Sequence, residues 1–154
     1  MKVNKQIIST VETDVTVNKV TLLSETEYLE CKPHIKPISS WWWLRSSGRY
    51  RSRAAYVIPD GSIYYSYVDH DDAVVRPALR ISNIESSNLK IDDKFKLDGK
   101  TWTVISNKLA LCDSWVKQMA FRSDWQATDA YQYEKSDVKK WLDEYGRRLV
   151  EVQQ

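Results

Sequence analysis

The chain has 154 residues, with 23 Lys and Arg against 21 Asp and Glu and a formal net charge of +2. That length fits one domain, in which folding buries roughly 68–70% of the extended surface, and so small a charge excludes a global pull toward nucleic acid or acidic membranes. Four Gly and four Pro argue against low complexity, and no run approaches the ~18 apolar residues of a membrane span.

Seven Trp and nine Tyr against two Phe favour strands, and surfaces where an aromatic body needs a polar handle. Cys31 and Cys112 lie far apart, one in a predicted helix and one in a predicted strand. Two free buried thiols in a reducing compartment are therefore expected rather than a disulfide. The opening MKVNKQIISTVET lacks the apolar stretch of a signal peptide, so a soluble, intracellular protein is expected.

Val15, Val17 and the threonines around them read as a strand. Ser24 and Glu27 form a capping box, so a helix starts there; it reads SETEYLEC and must stop before Pro33. Pro33 and Pro37 bracket an extended connection, and His34 within it reads as a loop residue rather than a ligand or base. Trp41, Trp42 and Trp43 then open a strand that continues through Leu44-Arg45-Ser46. Side chains alternate along a strand, so Trp41 and Trp43 face one way and Trp42 the other. Both faces need cover, which makes this strand central and assigns all three tryptophans to the core.

Ser46-Ser47-Gly48 breaks the strand, and Arg49-Tyr50-Arg51-Ser52-Arg53 follows. Ala54 to Ile58 is a short strand, Pro59-Asp60-Gly61-Ser62 a turn, and Ile63 to Val68 a second strand. Ile63, Tyr65 and Tyr67 share one of its faces; Tyr64, Ser66 and Val68 take the other. Asp69-His70-Asp71-Asp72 is a polar loop before a VVRPAL strand, and Ile84 to Asn88 reads as a linker. Phe95, Leu97, Trp102, Val104 and Ile105 form a hairpin pattern around Asp98-Gly99. Lys108 to Asp113 is another strand, and residues 114 to 134 are irregular and aromatic. Ser136 caps a last helix, SDVKKWLDEYGRRL, whose Val138, Trp141, Leu142 and Tyr145 fall on one face. Asp137 in its first turn and Arg147-Arg148 near its end suit the helix dipole.

Three stretches follow a recurring pattern: Trp42-Trp43-Leu44-Arg45-Ser46-Ser47-Gly48, Ala55-Tyr56-Val57 with Asp60-Gly61, and Val75-Arg76-Pro77-Ala78-Leu79. In these the chain resembles a bacterial and phage domain family of unassigned biochemical function, with the form W-W-L-R-S-x-G, A-Y-V-x-x-D-G, V-R-P-A-L. The helix entry Leu22-Leu23-Ser24-x-x-Glu27 looks like the family too. So do the Asp93–Ile105 strand pair and the Ser136-Asp137-Val138-Lys139-Lys140-Trp141-Leu142 helix. In the family the tryptophan hairpin and last helix come first; here the order is reversed. That implies one domain over 1–154 whose halves, 1–83 and 84–154, are circularly permuted, with the segment after Leu149 near Met1. A domain-swapped homodimer is the other way to reunite the halves.

The family is similar in turn to formylglycine-generating and C-type-lectin-like folds. The resemblance therefore implies an α+β domain of that kind, with a twisted, mainly antiparallel sheet, two helices and long loops. Arg45 and Arg76 would then be structural, each satisfying several carbonyls through its five donors. With Trp41, Trp42, Trp43, Trp102 and Trp141 they make up the expected structural core.

An enzyme is not expected. Cys31 and Cys112 do not match the copper-binding pair of an oxygen-dependent formylglycine-type enzyme, and no nucleophile–base motif is present, so no cofactor is called for. Asp69, His70, Asp71 and Asp72 are oxygen-rich, but EF-hand and lectin E-P-N and W-N-D motifs are missing; a solvated turn is expected rather than a metal site. Residues 48–53 and 64–72 have the composition of adaptable recognition loops. The candidate partner-binding residues are Arg49, Tyr50, Arg51, Arg53, Tyr65, Tyr67, Asp69 and Asp71. The competing reading is that the tyrosines only stabilise cross-strand packing.

The functional expectation is a non-enzymatic phage- or mobile-element-type recognition protein with a protein partner. One concrete version acts in the cytoplasm of a bacterial host and inhibits a defence nuclease such as a CRISPR effector. The alternatives are a particle-associated receptor-binding module, an enzyme of unnamed chemistry, and nucleic-acid contact through Arg49 to Arg53, which the acidic loop would oppose. No membrane partner is expected.

Overall fold

The structure, a computed structural model, describes residues 2–7, 12–48, 50 and 52–153; for residues 2–7, 12–15, 86 and 150–153 it describes the backbone alone. The valine- and threonine-rich start forms two antiparallel strands, β1 (Lys2–Ile7) and β2 (Glu12–Thr21). Helix α1 (Glu25–Cys31) begins at the capping box. Ser24 Oγ accepts from the Glu27 N–H at 3.1 Å, and Glu27 Oε1 accepts from the Ser24 N–H at 2.9 Å. The helix stops before Pro33 and runs straight into a 3-10 turn, Lys32–His34, where the missing proline N–H leaves nothing unsatisfied.

The remaining strands are β3 (Trp42–Ser47), β4 (Arg53–Val57), β5 (Ile63–Tyr67), β6 (Val74–Val75), β7 (Ala78–Ile81), β8 (Lys94–Leu97), β9 (Lys100–Ser106), β10 (Leu109–Cys112) and β11 (Lys117–Gln118). The last helix is α2 (Asp137–Gln153). The architecture is α+β. Instead of one twisted sheet, the strands form two. Strands β1-β2-β7-β10-β9-β8 close into an antiparallel barrel, and β11-β6-β3-β4-β5 make a mixed sheet in which β3 and β6 run parallel. Residues on either side of 83 supply three barrel strands each.

Alternation along β3 separates two cores. Trp43 packs in a large cluster with Val20, Leu79, Trp102, Phe121 and Leu142, while Trp42 and Leu44 pack in a smaller one with Leu23, Tyr28, Val57 and Leu111. Trp42 and Trp43 are 2% and 0% exposed, but Trp41 is 39% exposed and does not belong to the core. The pairing explains the correction: Trp42 is the first residue aligned with Val57 and Val74, so Trp41 lies beyond the sheet's cover. Its ring rests between Tyr56 and His70, each with centroid 5.2 Å away.

VVRPAL is not one strand. Val74–Val75 pair with β3 and β11, whereas Ala78–Ile81 pair with β2 and β10. Arg76-Pro77 carries the chain from one sheet to the other. Pro77 cannot donate to a ladder, so continuous pairing stops there. Ile84 is also more than linker: it opens a 3-10 turn, Ile84–Ser86, and is buried in the large cluster.

Asp98 and Gly99 take φ of 53° and 71°, so β8 and β9 join through the two-residue turn whose left-handed conformations Asp-Gly favours. Trp102 is fully buried and donates its Nε1–H to Leu97 O at 3.1 Å. Irregular residues between β11 and α2 cover Trp43, whose Nε1–H reaches Met119 O at 3.0 Å and whose ring meets Phe121 edge-on at 5.6 Å. Ser136 Oγ caps α2 by accepting from the Lys139 N–H at 3.0 Å. Val138, Leu142, Tyr145 and Leu149 bury its inner face, while Trp141 is partly buried and stacks on Tyr145 at 5.3 Å. The helix extends to Gln153, so Arg147 and Arg148 precede its last turn, which holds no basic residue. Helix α2 packs on β2 and β1. Gly146 permits that approach, since a Cβ there would sit 3.3 Å from Val20 Cγ2. Met1 lies outside the described residues. No helix among the described residues is long and apolar enough to cross a membrane.

Candidate functional site: the aromatic β5 edge

Strand β5 is terminal in its sheet, so only β4 covers one of its edges. The β4–β5 register is Arg53 to Tyr67, Ala55 to Tyr65 and Tyr56 to Tyr64. The hairpin is tightly tied. Ile58 N–H donates to Ser62 O at 3.0 Å, Asp60 Oδ1 accepts from the Ser62 N–H at 2.8 Å, and Gly61 takes a φ of 91° that few other residues adopt. Tyr28 of α1 donates its hydroxyl proton to Gly61 O at 2.7 Å, which fixes the turn against the helix.

Three tyrosines of β5 stay open to solvent: Tyr64 at 51%, Tyr65 at 40% and Tyr67 at 52%. The expected alternation holds. Tyr65 donates its hydroxyl proton to Glu25 Oε1 of α1 at 2.8 Å. That hydrogen bond, with some burial, raises the Tyr65 pKa and keeps the hydroxyl a neutral donor. Tyr64, on the opposite face, lies 6.5 Å from Tyr56, which continues inward to Trp43 and outward to Trp41. Arg53 sits with its guanidinium carbon 4.4 Å from the Tyr67 ring centroid and 5.6 Å from that of Tyr50, and its Nη2 donates to Tyr67 Oη at 3.1 Å. Such cation–aromatic stacking holds a long side chain in one shape before any partner arrives.

Of the sequence-derived candidates, Tyr50, Arg53 and Tyr67 come together, and Tyr65 stands one step along the same face. Asp69 and Asp71 are exposed in the loop that follows β5. Arg49 and Arg51 lie outside the described residues. Among the described residues no group of three His, Cys, Asp or Glu side chains is placed to hold a metal ion. His70 in that loop stacks on Trp41 instead. Trp41 and Tyr64 are exposed and half-buried His70 adjoins them; Tyr64 and His70 lie in the 64–72 recognition stretch without being among the named candidates, whereas nothing local marks Trp41 as lying past the cover.

The two arginines assigned a structural role differ. Arg45 donates Nη1 to Leu22 O at 3.0 Å and also pairs with Glu27. Arg80 Nη2 reaches the other Glu27 oxygen at 2.8 Å. Arg45 belongs to the mixed sheet and Arg80 to the barrel, so Glu27 of α1 ties the two together. Burial alone would raise the Glu27 pKa, but bonds from Arg45, the Ser24 N–H and Arg80 hold it at about 2. Arg76 is 1% exposed and donates Nε to Cys112 O at 2.7 Å and Nη2 to Lys36 O at 2.8 Å. Cys31 and Cys112 are free and buried.

Compared with protein-family models, curated proteins and solved structures, the chain matches none.

Proposed function

We propose that the chain is a non-enzymatic recognition protein that binds a protein partner through the β5 edge. The observation that carries this reading is the exposed set of Tyr64, Tyr65 and Tyr67 on a braced hairpin and Tyr50 in the loop before it, with Arg53 held between the Tyr50 and Tyr67 rings. Tyrosine and arginine dominate binding hot spots, because a rigid ring or a stacked guanidinium buries much area at small entropic cost. A terminal strand also offers unpaired backbone groups to a partner's extended segment. Cross-strand packing accounts for the Arg53–Tyr67 contact, since those residues face each other across β4 and β5, but it does not call for the exposure of Tyr50, Tyr64 and Tyr65.

The same proposal includes the C-type-lectin-like and permuted reading of the fold. The shared barrel and the packing of α2 on β1 support reunion of the halves within one chain rather than by a swapped homodimer. In its narrowest form the protein acts in the cytoplasm of a bacterial host and blocks a defence nuclease. The test is affinity capture from a bacterial lysate with wild type and a Tyr50→Ala, Arg53→Ala, Tyr67→Ala variant. One protein held by wild type and lost by the variant, at equal melting temperature, is the expected result. Capture of the same protein by both would remove the edge from the argument, and capture of nucleic acid instead would favour the phosphate-binding alternative.

A further inference from the structure

We propose that the open edge of β5 takes an extended peptide segment as a further strand, and that this segment carries Lys or Arg at its ends. The inference rests on the β5 interface proposed above and names the kind of partner it fits.

Pairing parity identifies the free backbone groups. Directly opposed residues of an antiparallel pair alternate between hydrogen-bonded and non-hydrogen-bonded pairs. At one end of the β4–β5 ladder the Ile58 N–H donates to Ser62 O at 3.0 Å; at the other the Val68 N–H donates to Ser52 O at 2.8 Å. Two residues further in from these bonds, Tyr56 faces Tyr64 and Ala54 faces Ser66. These are therefore the hydrogen-bonded pairs, and Tyr64 and Ser66 spend their backbone groups on β4. Ile63, Tyr65 and Tyr67 turn theirs the other way, to the edge where no strand is paired. Tyr67 O is used in the turn that follows, where it accepts from the His70 N–H at 3.1 Å. The N–H and C=O of Ile63 and Tyr65 and the N–H of Tyr67 remain for a partner.

Exposed edges are ordinarily blunted by a charge, a proline or a bulge that deters another strand. Strand β5 reads Ile63-Tyr64-Tyr65-Ser66-Tyr67, with no charge and no proline. Its register with β4 runs through all of these residues without a shift. An isoleucine and three tyrosines suit a strand that has neighbours on both sides.

The charge beside the edge selects the occupant. Asp69, Asp71 and Asp72 are exposed just past the end of β5, and none of the ion pairs among the described residues involves them. Two described cations near that end are already engaged. Arg53 stacks on Tyr50 and Tyr67, and Arg122, whose N–H reaches Val68 O, pairs with Asp129 at 2.8 Å. Asp60 is exposed before the start of β5, where Lys32 lies beside Gly61 and offsets it in part. A second copy of the chain fits this edge poorly. Two β5 strands paired antiparallel about Tyr65 would bring Asp69 of each to Gly61 and Asp60 of the other, so like charges would meet at both ends. A different segment with cations at its ends removes that conflict. Its alternate side chains would fall beside Tyr64 on one face and beside Tyr65 and Tyr67 on the other.

The test is a titration of the full chain with the acetylated, amidated peptide Lys-Lys-Thr-Val-Thr-Val-Thr-Lys-Lys, followed by backbone amide NMR. The Ile63, Tyr65 and Tyr67 amides should shift and gain protection from exchange. The same peptide with Glu for Lys should bind at least roughly tenfold more weakly, by a margin that shrinks at high salt. Methylating the amide nitrogens of the central Val-Thr-Val keeps the side chains, removes the ladder donors and should abolish binding. On the protein, Tyr65→Val removes the ring and keeps the N–H, whereas Tyr65→Pro removes both; proline is tolerated where an edge N–H faces solvent. Tyr65→Val should retain the peptide and Tyr65→Pro should lose it with the β4–β5 hairpin still formed. Equal binding of the Glu peptide, binding that survives methylation or Tyr65→Pro, or no binding of the Lys peptide overturns the inference. So does a dimer of the free protein that Tyr65→Pro dissolves, which would give the edge to a second copy. If no peptide binds but the protein captured from lysate is still lost with Tyr50→Ala, Arg53→Ala, Tyr67→Ala, the strand inference fails and the β5 interface stands; if that capture is also unchanged, both fail.

Discussion

Glu27→Gln isolates the charge that joins the two sheets. Glutamine keeps a side-chain acceptor at the third helical position, so the capping box survives. What disappears is the anion shared by Arg45 and Arg80. A carboxyl held at about 2 rather than 4.5 contributes about 3 kcal/mol at neutral pH. Its side chain is 18% exposed, so solvent screening removes little of this; the arginines, at 28% and 36%, rehydrate in part. The expected loss at pH 7 is therefore about 2–3 kcal/mol. The folded-state value lies below the unfolded one, so this stability is complete above about pH 4.5 and is lost as pH falls toward 2. Urea denaturation followed by tryptophan fluorescence measures both ends. The gap between wild type and variant should narrow to about 1 kcal/mol at pH 3. A gap under about 0.5 kcal/mol at pH 7, the range of ordinary surface substitutions, would refute the reasoning. So would a gap of 2–3 kcal/mol that ignores pH, because it would come from shape and not from charge.

The tryptophan triplet gives a graded series by the same assay: Trp42→Ala and Trp43→Ala should each cost about 3–5 kcal/mol, while Trp41→Ala, at 39% exposure, should cost less than about 1 kcal/mol. A loss at Trp41 equal to that at Trp43 would return Trp41 to the core. Burial raises the pKa of both thiols, with Glu30 and Glu27 adding to the effect at Cys31. Cys31 and Cys112 should therefore react with a thiol reagent at pH 8 only as fast as the protein opens, and rapid labelling of either in the native state would contradict their placement.

Local chemistry was legible in the sequence wherever donor and acceptor lie within a few residues. Ser24 with Glu27, Asp98 with Gly99, and Ser136 with Lys139 are such cases, and each bond or turn forms where the spacing places it. Alternation sorted Trp42 from Trp43 and Tyr64 from Tyr65 for the same reason: it depends only on the strand's own geometry. The spatial limit of a strand's cover is different. Trp41 continues the pattern of Trp43 and shares its contact with Tyr56. What exposes it is the end of the pairing with Val57 and Val74, set by segments 16 and 33 residues away in the chain.

The same distinction governs the division of VVRPAL between two sheets and the reading of Arg76. A strand-like composition with one proline is compatible with an edge strand or with a crossing between sheets; the choice belongs to the partners, β2 and β10 on one side, β3 and β11 on the other. Once the chain crosses at Arg76-Pro77, the arginine is enclosed between the sheets whatever its cost in hydration. Carbonyls of Cys112 and Lys36, 36 and 40 residues distant, satisfy two of its nitrogens, as a structural arginine requires. The third nitrogen has none. The partners that bury Arg76 are thus set by where the chain crosses between the sheets, and no spacing within VVRPAL itself announces them.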